Sequence, residues 1–224
     1  MLLPVLRLCY SFFTWELTTS SRSKAYGGRA SVNTLRIIAW LVCGVYSTIP
    51  AYWMMVHPFA ERWRAMRHKL KLLAPLWVLM WCVAWAASYP WRNVALYHNA
   101  GTLVAAPLLW AESIFMYVNG GRELSFMRLI GQDELEPEKH QNLLITWGVH
   151  RVVRHPLYLG HFCTMLGFAA ASGSVACFGL FGFAVASGAV MIHFEERELH
   201  ARFGEAWEQY RADTPAVFPW RKGK

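Results

Sequence analysis

The sequence predicts an all-α fold: an integral membrane helical bundle of about five transmembrane helices, with a C-terminal helix hairpin and an amphipathic tail. Hydrophobic residues make up 55% of the 224 residues, and charged residues only 16%. The charges are also bunched. Segments 37–56 and 74–91 have no charged residue, 94–118 has only Glu112, and 157–194 has none. Because about 20 apolar residues span a hydrocarbon core, these stretches predict membrane helices.

A single domain with three regions accounts for a chain of this length. Residues 1–31 are predicted to form an N-terminal interfacial segment. A signal peptide is disfavoured there, because the apolar stretch 1–17 contains Arg7 and Glu16 and lacks a small-residue cleavage site. Residues 32–118 are predicted to hold three transmembrane helices. Residues 119–224 are predicted to hold a loop, the helix hairpin and the amphipathic tail.

The last apolar stretch is about twice the length of one span, which predicts two antiparallel helices. Ser172-Gly173-Ser174 lies near its middle, and such small residues favour a turn. The first arm, 156–171, would rise only about 24 Å at 1.5 Å per residue. This arm is therefore predicted to be short for a hydrocarbon core of about 30 Å.

The basic residues predict the orientation of the bundle. Five spans place the 58–73 loop, the 119–155 loop and the C-terminal tail on one side, and these segments hold 16 of the 22 Lys and Arg residues. This bias predicts that they face the cytoplasm, in a multi-pass protein of the cell inner membrane.

Charge and cysteine content restrict the classes of partner. The net charge of +8 follows from the basic loops and from anionic headgroups, so the lipid bilayer is the predicted partner and nucleic acid is not needed. The five cysteines are isolated and have neither metal-ligand nor redox spacing, and no metal is predicted.

Three polar clusters are predicted on one face of the membrane: the loop 142–151, the segment 154–158 and the pair Glu195-Glu196. Pro156 suits the first turn of a helix, where a missing N–H costs nothing. Both arms of a hairpin end on the same side, which predicts that the two carboxylates lie close to His155. The same residues also fit ordinary interfacial anchors and the solvated start of a helix extension.

The combination of these motifs resembles a known family. The run Arg154-His155-Pro156-Leu157-Tyr158-Leu159-Gly160, the Glu195-Glu196 pair, Leu199, Phe203-Gly204, Tyr210 and the closing prolines are similar to the isoprenylcysteine carboxyl methyltransferase family and the related phospholipid methyltransferases. The resemblance covers roughly 119–220 and marks 119–224 as the methyltransferase core.

The resemblance implies methyl transfer from S-adenosyl-L-methionine to a lipophilic acceptor. It implies cofactor contacts from Asn142, Leu144, Ile145, His150, His155, Pro156, Tyr158, Glu195 and Glu196. Catalytic roles are expected for Arg154, His150 and Glu196, with His150 as the candidate general base. A carboxylate pair at a half-buried site would attract the sulfonium and ammonium groups of the cofactor.

Two positions bear on the acceptor. The isoprenylcysteine enzymes have an arginine one helical turn before the position of Glu195, where this chain has Met191, which cannot pair with a substrate carboxylate. Met191 is nevertheless expected on the substrate side, near the membrane edge. Glu112 is a second candidate, because ionisable residues inside spans are often functional. The acceptor is left open between an isoprenylcysteine carboxylate-like group, a phospholipid amine and a thiol.

Two other functions compete with the transferase. A membrane NADPH-dependent sterol-type reductase has a similar Arg-His-Pro-like hairpin, and a non-catalytic membrane scaffold would need no site at all. Pro156 and the Glu-Glu, Phe-Gly and Tyr series of the tail favour the transferase.

Overall fold

The computed structural model describes residues 27–66, 69–97, 102–122 and 143–219. These residues are mainly helical, and the only strand-like pairing among them is an isolated bridge between Ala95 and Ser174. The predicted all-α fold is confirmed. Most of the predicted interfacial segment 1–31 lies outside the described residues.

Seven α-helices are present in the described part of the chain. They are α1 Gly27–Val56, α2 Ala60–Ala65, α3 Lys69–Ser88, α4 Thr102–Arg122, α5 Pro156–Ser172, α6 Val175–Phe203 and α7 Glu205–Asp213. Short 3-10 turns follow α1 (His57–Phe59) and α3 (Tyr89–Trp91), and a third (Gly148–Arg151) precedes α5.

Within the described ranges, three segments are long and apolar enough to cross a bilayer: Asn33–Phe59, Lys71–Trp91 and Val175–Phe203. Two of the five predicted spans do not reach that standard. Helix α4 carries Glu112, and α5 has only 17 residues, a rise of about 26 Å. The bundle is therefore an integral membrane one with three clear spans, and the 21-residue helix α4 and the 17-residue helix α5 lie beside them.

Helices α4 and α5 are packed closely against each other. A Cβ atom added at Gly160 would lie 3.2 Å from the Met116 Cβ and 3.3 Å from the Ser113 carbonyl oxygen. The hydroxyls of Ser113 and Thr164 are 2.5 Å apart across the same interface. Small residues that allow this approach are typical of helix pairs in membranes. The contact positions the first turn of α5, where the polar cluster begins.

The predicted turn between the arms of the hairpin is confirmed. Gly173 has φ 63° in the left-handed region, and its N–H bonds to the Ala169 carbonyl at 2.9 Å. Such a C-terminal cap favours glycine, because a Cβ is strained in that conformation. Helix α6 then returns antiparallel to α5, which brings Glu195 and Glu196 to the end of the bundle where α5 starts.

Candidate active site

Arg154, His155, Glu195 and Glu196 form one polar cluster at the open end of the hairpin. The His155 Nδ1 is 3.6 Å from the Glu195 Oε2, and its Nε2 is 3.3 Å from the Glu196 Oε1. The Arg154 guanidinium donates to the same Glu196 oxygen from Nε at 3.0 Å. The structure thus brings the imidazole and both predicted carboxylates together.

The chain after α7 holds the start of α5 in place. The backbone N–H of Arg154 donates to the Pro215 carbonyl, and that of His155 to the Ala216 carbonyl, each at 2.9 Å. His155 then caps α5, and Pro156 takes its first position, where proline is favoured because its missing N–H would have no helical partner. The segment 214–217 therefore acts as a strap, and we refer to it as the C-terminal strap.

Glu196 is the buried member of the carboxylate pair. Its side chain is 13% exposed, that of Arg154 is 8% exposed, and the Arg154 Nη2 lies 2.5 Å from the Glu196 Oε1. The Arg211 Nε approaches the other Glu196 oxygen at 3.5 Å. Charge-assisted bonds of this kind offset the cost of desolvating the two ions. Glu196 is thus already engaged by cations of the protein.

Arg154 joins Glu196 to the strap. Its Nη1 donates to the Arg211 carbonyl at 3.1 Å and also to the Thr214 carbonyl. Its guanidinium carbon lies 5.7 Å from the centre of the Trp207 ring, and Trp207 is fully buried. Arg154 therefore connects α5, α6, α7 and the strap, which is the geometry of a positioning residue.

Glu195 differs from its neighbour in exposure. Its side chain is 32% exposed, and its ion contact is with the buried His155. A carboxylate in this state is held at one oxygen and still open to a ligand. Of the two glutamates, Glu195 is the more accessible to solvent.

The 3-10 turn before α5 contains His150, which is buried. The Tyr210 hydroxyl donates to the His150 carbonyl at 2.6 Å, so α7 also fixes this turn. The Tyr158 ring lies edge-on to the His155 ring, with centroids 6.1 Å apart. His150, His155 and Tyr158 therefore lie around the same helix start.

Leu144 and Ile145 are half-buried in the irregular segment before this turn. Asn142, the other predicted cofactor residue of the loop, lies outside the described residues. The expected cofactor contacts of Leu144, Ile145 and Asn142 stay predictions.

The two predicted substrate residues do not lie on a common surface. Met191 is 1% exposed, so it is a packed residue of α6, and its expected position near the membrane edge stays a prediction. A position along an apolar helix does not by itself tell whether a side chain faces protein or lipid. Glu112 is exposed on α4. A substrate contact of either residue stays a prediction.

Sequence reasoning missed Arg211 and Trp207 as parts of the site. Both lie on α7 one helical turn apart, and this i, i+4 spacing was the available signal. Among the described residues, no three His, Cys, Asp or Glu side chains are grouped so that they could hold a metal ion.

One of the comparisons with known proteins matches a segment that includes Arg154, His155, Glu195 and Glu196. The family model for phospholipid methyltransferase matches residues 101–206. The Protein-S-isoprenylcysteine O-methyltransferase of Schizosaccharomyces pombe is 35% identical over 79 residues, which are 35% of this chain and 34% of that protein. The match thus spans about a third of the length of this curated relative. No solved structure matches the chain. Residues 101–206, a little under half of the chain, are therefore similar to the phospholipid methyltransferase family, and a stretch of 79 residues is similar to an isoprenylcysteine methyltransferase.

Proposed function

We propose that this protein is an integral membrane methyltransferase that uses S-adenosyl-L-methionine and a lipophilic or membrane-partitioned acceptor. One observation carries the proposal: Glu195 is one-third exposed beside the buried His155, whereas Glu196 is engaged by Arg154. The cluster therefore offers one carboxylate to a cationic ligand. Residues 119–224 are the proposed methyltransferase core.

The side chains around the start of α5 fit the chemistry of the cofactor. Its sulfonium and ammonium groups are cations, and the open oxygen of Glu195 would hold one of them through a charge-assisted bond. Its carboxylate would be favoured at the N-terminus of α5, where the helix dipole is positive. Tyr158, which lies beside His155, supplies an aromatic wall for the adenine. Leu144, Ile145 and His150 line the approach from the preceding segment.

When bound, S-adenosyl-L-methionine supplies a methyl group already activated on a positively charged sulfur. The residues of the chain then need to orient the acceptor and to exclude water from the site. His150 is the candidate base for an acceptor that loses a proton, because histidine changes its protonation near neutral pH.

Arg154 and Glu196 act as positioning residues in this proposal, and not as the catalytic groups that the sequence suggested. Each satisfies the other, and Arg154 also bonds to two carbonyl groups, of Arg211 and Thr214. Their function is to hold His155 and Glu195 opposite each other, on the two arms of the hairpin. The interaction is buried, so water does not compete for it.

The proposed acceptor enters from the bilayer, and the cluster faces the cytoplasm of an inner membrane. The candidate acceptors are an isoprenylcysteine carboxylate-like group, a phospholipid amine and a thiol. Met191 favours the last two, because a buried methionine offers no charge to a carboxylate.

Calorimetric titration of the detergent-purified full chain tests the cofactor assignment. We expect saturable binding of S-adenosyl-L-methionine with one site per chain, and no binding of NADPH under the same conditions. Retention of NADPH with no affinity for S-adenosyl-L-methionine would assign the cluster to a reductase. Binding of neither compound would leave a membrane scaffold.

A further inference from the structure

A second candidate site is an apolar groove between α3 and α6, with α1 as its floor. It has a volume of about 560 Å³, within the range of about 300–1,000 Å³ found for small-molecule sites. Its walls include Leu79, Val83, Trp91, Val175, Gly179 and Phe183. None of its lining residues belongs to the polar cluster.

The groove lies in the half of the bundle away from the polar cluster. On α6 it is lined from Val175 to Phe183, next to the hairpin turn. Gly179 precedes Glu195 by a rise of about 24 Å along the helix. The contacts of helix α1 agree with this arrangement. Arg36 near the start of α1 donates to the Ser172 carbonyl at the hairpin turn. His57, just after the end of α1, pairs with Glu198 at the end of the bundle that carries the polar cluster. A ligand of this groove is therefore not the group that reacts beside Glu195.

The two hydroxyl groups in the groove wall are already bonded within the protein. The Thr48 hydroxyl accepts from Trp77 Nε1 at 3.1 Å and donates to the Val45 carbonyl at 2.7 Å. The Ser88 hydroxyl accepts from Trp40 Nε1 at 2.8 Å and donates to the Ala84 carbonyl at 2.6 Å. A polar ligand would lose its hydration here without replacement bonds, so the walls favour a hydrocarbon chain.

The outer end of the groove, at the hairpin turn, carries positive charge. Arg36 bonds to Ser172, and the Ser174 hydroxyl donates to the Arg92 carbonyl at 2.9 Å. The Arg92 guanidinium lies 3.5 Å from the centre of the Tyr89 ring. The two cations are thus complementary to an anionic headgroup.

We propose that this groove binds one acyl chain of an anionic glycerophospholipid from the leaflet opposite the polar cluster, with the phosphate beside Arg36 and Arg92. The three helices around it are long and apolar enough to cross the bilayer, so lipid chains surround its opening. The apolar walls select the chain, and the charged outer end selects the headgroup. The site is separate from the proposed methyl acceptor site.

Two glycines of α6 provide a matched pair of variants. A Cβ added at Gly179 or at Gly182 would meet no atom within 4 Å, but only Gly179 lines the groove. Gly179→Leu should therefore fill the groove without a clash, and Gly182→Leu should add the same side chain outside it. Both replacements also remove a helical glycine, so the effects on helix propensity are equal.

The test uses the full chain in lipid nanodiscs with phosphatidylglycerol that carries a photoactivatable diazirine in one acyl chain. We expect labelled peptides from 79–91 and 175–183 in the unmodified protein. We expect Gly179→Leu to lower this labelling at least fivefold and Gly182→Leu to change it less than twofold. Equal labelling of the three proteins, or a label concentrated at 154–158, would overturn the proposal.

The headgroup is tested with phosphatidylcholine that carries the same photoactivatable chain. We expect phosphatidylglycerol to label the groove several-fold more, and Arg36→Gln with Arg92→Gln to remove that preference. Equal labelling by the two lipids in the unmodified protein would overturn the choice of an anionic lipid. Binding of S-adenosyl-L-methionine, measured on the same variants, should be unchanged, which separates this site from the proposed active site.

Discussion

Replacing Arg154 by methionine is expected to destabilise the packing of α7 and the C-terminal strap by about 3–5 kcal/mol, the usual cost of leaving one member of a buried ion pair without its partner. The change removes both bonds to Glu196 and the two bonds to strap and α7 carbonyls. We expect a clearly lower melting temperature in detergent and faster tryptic cleavage after Arg211.

Arg202→Met is the matched control, because Arg202 forms an i, i+4 pair with Glu198 at 3.8 Å and is 42% exposed. Exposed pairs of this kind contribute about 0–1 kcal/mol. The double variant Arg154→Met with Glu196→Leu should recover part of the stability, because it leaves no buried charge unpaired. Equal melting temperatures of the Arg154 and Arg202 variants would contradict the positioning role.

Replacing Glu195 by glutamine is expected to lower the affinity for S-adenosyl-L-methionine by about 1–3 kcal/mol, which is roughly a fivefold to hundredfold increase in Kd. The amide keeps the size of the side chain and loses the charge that would hold the cationic cofactor. Because Glu195 is one-third exposed, the melting temperature should change little. Titration calorimetry and thermal unfolding on the same preparation measure the two effects.

The control for that experiment is Glu205→Gln, an exposed carboxylate in the first turn of α7, which should leave the affinity unchanged. Glu196→Gln should lower stability as well as affinity, because Glu196 anchors Arg154. An unchanged Kd in Glu195→Gln, together with a raised Kd at normal stability in Glu196→Gln, would reverse the roles of the two glutamates.

The sequence predicts the helices and the placement of the cluster because these depend on local pattern and chain length. Apolar runs predict the spans, and Ser172-Gly173-Ser174 predicts the turn, in which the structure has Gly173 in the left-handed region. Once the two arms of the hairpin have similar lengths, His155 and the Glu195-Glu196 pair must meet at one end.

The roles of the two glutamates depend on tertiary contacts that no local pattern encodes. Glu196 is engaged because α7 and the C-terminal strap fold back and supply Arg211 and the carbonyl partners of Arg154. The inward position of Met191 was not predictable either. In a membrane helix the lipid face and the protein face are both apolar, so hydrophobicity does not distinguish them.

The most direct test of the account is methyl transfer by the reconstituted protein. The full chain in liposomes is incubated with methyl-labelled S-adenosyl-L-methionine and, separately, a farnesylated cysteine analogue, phosphatidylethanolamine and an apolar thiol, and the organic extract is counted. We predict label in the extract with at least one acceptor, and a loss of that label in Glu195→Gln at normal protein yield. Protein that binds the cofactor and transfers no label to any of the three acceptors would contradict the account.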